Sequence, residues 1–197
     1  MADTSSNRMM DKATTVIQSQ ADMCQAYADG SVGVIVSGMI WLAAALIAHQ
    51  YSANQAIWML FFGGMFIFPI SMLIGKLMGL SGKHAKGNQL GNLAMEGTIW
   101  MIMCLPLAFG LSMQQTEWFF QAMLLIIGGR YLTFSTIYGK KIYWILGAVL
   151  GIAAYALFVF KVQSLGSLLA GAGIEISFGL LMLFSYRRNF KRSLVLG

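Results

Sequence analysis

Six long apolar runs separated by short polar stretches set the pattern of the chain, covering roughly Ser31–Ala48, Gln55–Gly75, Asn92–Met113, Glu117–Tyr138, Ile142–Phe160 and Ser164–Tyr186. About 20 apolar residues cross a hydrocarbon core ~30 Å thick, so each run predicts a membrane span. Lipid offers no partner to a backbone N–H or C=O, and the spans are therefore expected to be helices. Their number is even, which puts both termini on one side. Ahead of the first run, Met10, Ala13, Ile17, Ala21, Cys24 and Ala28 recur at three- and four-residue steps, with Asp11, Lys12, Gln18, Gln20 and Asp22 between them. This spacing predicts an amphipathic leader helix that lies on headgroups or packs under the bundle, with a partner-binding role as the sharper reading. The expected fold class is an all-α integral membrane bundle of six transmembrane helices with an N-terminal amphipathic helix: a leader over 1–30, a transmembrane domain over 31–186 and a basic tail over 187–197.

Composition agrees with a lipid solvent. The chain is 58% hydrophobic and 10% charged, with a mean hydropathy of +0.70, which excludes an ordinary soluble domain. A net charge of +6 on a soluble protein would raise nucleic acid as a partner. In this chain the basic residues sit between or beyond the apolar runs. Arg8 and Lys12 lie in the leader, Lys76, Lys83 and Lys86 in the second loop, Lys140 and Lys141 in the fourth, and Arg187, Arg188, Lys191 and Arg192 in the tail, all on one side; the other side has Lys161. That asymmetry predicts cytoplasmic termini, contact with anionic headgroups and no nucleic-acid partner. The first 30 residues lack the basic-then-apolar order of a cleaved signal, so the first span is expected to be retained.

Three ionisable residues fall inside the runs: Glu96, Arg130 and Glu175. A lone charge at the bilayer centre costs from about 3 to more than 10 kcal/mol, and pairing is the cheapest escape. Helix rise places Arg130 and Glu175 at similar depths in spans four and six, which predicts an Arg130–Glu175 pair with Glu96 as a second partner. Two readings stay open. In one, the three residues form the substrate or ion pathway of a small transporter or channel, and solvent reaches them. In the other, they are structural charges in a dry bundle, a non-transporting subunit that meets a partner or a second copy through its leader and tail.

Pro69 lies inside the second run and predicts a helix kink that frees a carbonyl near residue 65. Gly147 and Gly151 form a GxxxG, read as internal helix packing before a dimer face. No catalytic motif, metal-ligand set or cofactor fingerprint is present: Gly-Lys is never followed by Ser or Thr, His49 and His84 lie in different loops, and the 15 methionines are spread through the spans as core filling. An enzyme is not expected. The order Phe68-Pro69, a short apolar segment, Gly75-Lys76, then a polar loop ending in Asn88-Gln89-Leu90-Gly91-Asn92 resembles a family of small polytopic bacterial inner-membrane proteins of unknown function, best over residues 60–110. The resemblance implies a bacterial source and a helical bundle, and it carries no catalytic residues.

Overall fold

A computed structural model describes the backbone of residues 2–196 and the side chains of residues 15–189. Seven helices follow in order: α1 (Ala2–Tyr27), α2 (Ser31–Gln50), α3 (Ala53–Leu77), α4 (Gln89–Ser112), α5 (Thr116–Tyr138), α6 (Ile142–Val159) and α7 (Ser164–Leu196), with a 3₁₀ turn, Ala28–Gly30, between the first two. Six stretches are long and apolar enough to cross a membrane, and no strand occurs among the described residues. The protein is a polytopic helical membrane protein. Its α2 packs chiefly on α7 and α3, and α5 on α6 and α4. Helices α3 and α4 stand at the edge. Only 17% and 11% of their most apolar windows are buried, against 50% for the stretch containing α2, so most of their apolar side chains face outward.

The helix ends follow local chemistry. Ser52 Oγ accepts from Gln55 N at 3.2 Å and Asn88 Oδ1 from Leu90 N at 3.1 Å, which fixes the starts of α3 and α4. The Asn88 cap starts α4 three residues before the expected span. At α5 the end is set by Gly139, whose φ of 64° is left-handed. Pro69 lies within an unbroken α3, as Pro106 does within α4. Pro69 is on the exposed face, and Ser71 Oγ donates to Ile67 O at 2.5 Å on the same stretch.

Helix contacts are closest where glycine removes the side chain. A Cβ on Gly38 of α2 would stand 2.9 Å from Ile176 N and 3.1 Å from Glu175 Cβ of α7, and one on Gly179 would stand 2.9 Å from Ile35 N. These two positions bring the α2 and α7 backbones together. The GxxxG of α6 behaves as internal packing, since a Cβ on Gly147 would meet Gly128 O at 2.7 Å.

The leader is docked from residue 19 onward. Gln20 Nε2 donates to Thr136 O at 2.8 Å, Asn88 Nδ2 to Ser19 O at 3.0 Å and to Asp22 Oδ2 at 2.8 Å, and Ala85 N to Asp22 Oδ2 at 2.9 Å. Met23 and Ala26 are buried, while Ile17 and Ala21 of the expected apolar stripe are exposed. The stripe holds at Cys24, whose Sγ donates to Tyr138 O at 3.2 Å, and at the buried Ala28, and departs at Ile17 and Ala21 because hydrogen bonds turn Gln20 and Asp22 toward protein. The side chains of Met10, Ala13, Lys191 and Arg192 lie outside the described residues. After the leader the chain turns sharply through Ala28, Asp29 and Gly30, with φ of 49°, 55° and 76°. Left-handed backbone at a non-glycine residue costs roughly 1 kcal/mol or more. Surrounding contacts hold it: Tyr143 Oη donates to Asp29 O at 2.7 Å, Ser31 Oγ to Ala28 O at 2.7 Å, and Lys140 Nζ lies 3.3 Å from Asp29 Oδ2.

Candidate functional site at the α2–α5–α7 junction

Glu175 is 11 residues into α7, about 17 Å along the helix by its rise. It is fully buried, at 0% exposure. The glycine contacts at 38 and 179 pull α7 onto α2 and aim the carboxyl at the junction with α5. There Tyr131 Oη donates to Glu175 Oε1 at 3.0 Å, and the buried Ser37 of α2 lies against both groups. The other carboxyl oxygen, Oε2, has no hydrogen-bond partner among the described residues. Leaving a buried polar atom unmatched costs about 1–3 kcal/mol, and more for a charged group.

Arg130 does not join this cluster. Its Nη2 donates to Thr98 Oγ1 at 2.9 Å, its Nη1 lies 3.8 Å from Met101 Sδ, and its guanidinium sits 5.1 Å from the centre of the Phe134 ring. Its Nε is buried without a partner. The expected Arg130–Glu175 pair is therefore replaced by two separate sites. Equal depth was the right estimate on the wrong axis: residues 130 and 131 point about 100° apart around α5, so Arg130 faces α4 while Tyr131 reaches Glu175. Glu96 is exposed on α4, although its neighbour Gly97 lies beside the Arg130 side chain. Among the described residues, one ion pair falls within 4.0 Å, that of Lys140 and Asp29.

Between Glu175 and the leader lies an aromatic stack. Tyr131 and Tyr143 are 5.9 Å apart by ring centre, Tyr138 and Tyr143 5.6 Å, and Phe134 meets all three edge-on. Tyr143 then reaches the Asp29 carbonyl under the leader. Toward the far end, Trp41 and Leu124 pack against Gly171, one turn of α7 from Glu175. Glu175 is thus closed off on both sides.

A model of a family of unknown function (DUF7010) matches residues 16–185. The chain belongs to that family. No curated protein and no solved structure matches it. The matched region takes in the docked part of the leader, the left-handed turn and the whole Glu175 junction, so the family as defined includes every element of the site. Sequence reasoning found Glu175 and missed Tyr131 and Ser37, whose polar groups inside apolar runs were the available signal. Gly38 and Gly179 were a weaker one, because many glycines populate these spans.

Proposed function

We propose that the protein is a small proton- or cation-coupled membrane transporter, held with its central carboxyl occluded. The observation that supports this most is Glu175: fully buried, hydrogen-bonded on one oxygen and unmatched on the other. Buried polar atoms are generally hydrogen-bonded, so a fully buried carboxyl oxygen with no partner is better explained by something it binds than by a role in helix register alone. An intramembrane acid with capacity to spare is suited to a proton or a small cation, with Tyr131 and Ser37 as neutral oxygen partners. Arg130 acts apart from it, bracing α4 against α5. The basic loops on the leader side support placing that end on the cytoplasmic face of a bacterial inner membrane, against anionic headgroups.

The alternative is a closed, non-transporting subunit that works through its cytoplasmic face. It is favoured by the complete enclosure of Glu175 and by the backbone-to-backbone fit of α2 on α7 at Gly38 and Gly179. Purified protein in liposomes loaded with a pH-sensitive dye separates the two. Under an imposed potential, the transporter reading expects proton flux above protein-free liposomes and at least a tenfold fall in Glu175→Gln. Wild-type flux equal to that of Glu175→Gln and of empty liposomes supports the closed subunit instead.

A further inference from the structure

Four described buried side-chain atoms lack a hydrogen-bond partner: Gln121 Oε1, Arg130 Nε, Ser167 Oγ and Glu175 Oε2. Arg130 Nε belongs to the α4–α5 contact. The other three belong to α5 and α7 and occur at two levels. Gln121 and Ser167 are five and three residues into their helices from the far end, and Glu175 is two turns of α7 further in, about 12 Å. Gln121 is anchored on the bend between α6 and α7, and Ser167 lies in the first turn of α7 that follows it. Gln121 Nε2 donates to Leu157 O and Val162 O, each at 3.3 Å, while Ser167 N donates to Gln163 O at 3.2 Å, and Lys161 in that bend has a left-handed φ of 49°. Gln121 is 4% exposed and Ser167 0%. The two unmatched oxygens, Gln121 Oε1 and Ser167 Oγ, are the polar positions open to an enclosed water, which needs two to four polar contacts.

We infer that the α5–α7 seam is the access route from the far face to Glu175, with Gln121 and Ser167 as its polar entrance and Trp41, seated on Gly171, as its closed gate. The inference rests on the transport reading and adds the path and its direction. Gly171 lies midway between Ser167 and Glu175. A Cβ there would be 2.8 Å from Trp41 Cδ2 and 3.0 Å from Leu124 Cδ2, so the indole fills the space that a side chain would otherwise take. Rotation of Trp41 away from Gly171 would join the two polar levels. Water or a partly hydrated cation at the entrance would meet the neutral oxygens of Gln121 and Ser167.

The test uses the full chain with Cys24 and Cys104 replaced by Ser, carrying either Ser167→Cys or Leu150→Cys, the latter a fully buried control on α6. A charged, membrane-impermeant methanethiosulfonate is added to vesicles of each orientation. Labelling of Ser167→Cys at least tenfold faster than the control, from the face opposite the leader, is expected. Equal rates for the two cysteines overturn the route. Ser167→Ala, one oxygen smaller, supplies an answer if the cysteine variant does not fold: at least a threefold loss of proton flux is expected, and undiminished flux overturns the entrance. Failure of the underlying reading shows separately, as Glu175→Gln flux equal to wild type whatever the labelling. A normal loss in Glu175→Gln with an unreactive Ser167→Cys removes the route alone.

Discussion

At the leader end, Gln20, Asp22, Tyr27 and Asn88 each meet a partner at 2.8–3.0 Å, and the Lys140–Asp29 ion pair stands beside them. At mid-bundle, Glu175 meets Tyr131 and Ser37 yet keeps an unmatched oxygen, and Arg130 donates to Thr98 at 2.9 Å yet keeps an unmatched Nε. The water-facing region, where an unmet polar group could be solvated cheaply, is the one that satisfies its groups. The apolar region, where each such group costs most, leaves them incomplete. Such an inversion is hard to explain by stability and natural for a site with something to bind. It also divides the molecule: polar residues of the leader end hold the structure, and those of the α5–α7 seam are the ones the proposed function uses.

Substitutions can break or sharpen this division. The largest effect on stability is expected from Gly38→Val, whose Cβ would press on the Ile176 backbone as well as on Glu175. It should cost about 3 kcal/mol or more, seen as a fall in the unfolding midpoint in detergent, and a wild-type midpoint would mean that the α2–α7 contact is looser than the glycines indicate. Asn88→Ala removes the two bonds to the leader and the α4 cap together. A loss of about 2 kcal/mol, with faster proteolytic nicking of the leader, is expected; unchanged nicking would show that the leader is held by its apolar contacts instead. The smallest effect belongs to Lys140→Met, because that lysine is 39% exposed in its pair with Asp29. Less than about 1 kcal/mol is expected from the same unfolding measurement, and a larger loss would give the pair a role in holding the left-handed turn.

The architecture was open to a reader of the sequence because a span is a property of one segment: length and apolarity suffice, and lipid imposes the helix. All six runs became helices, and the GxxxG of α6 packs against Gly128. Pairings are a property of two segments, and there depth alone misled. Arg130 and Glu175 are at similar heights, yet helical azimuth turns Arg130 toward Thr98 and gives Glu175 to Tyr131. The leader was legible as a helix and only in part in its orientation: Cys24 and Ala28 of the expected stripe face protein, while the contacts of Gln20 and Asp22 depend on loops that no periodicity describes. Gln121 and Ser167 were in plain view as polar letters in apolar runs. What the sequence lacks is whether such a group finds a partner, and that decides between structure and site.

The central claim is that Glu175, though enclosed, exchanges a proton or cation with solvent. Infrared difference spectra of the reconstituted protein across a pH step measure this directly in the carboxyl C=O region. A band that appears in wild type and is absent in an otherwise folded Glu175→Gln protein is predicted. Identical spectra for the two, with no titrating band that the substitution removes, would contradict the account and leave Glu175 as a sealed structural group.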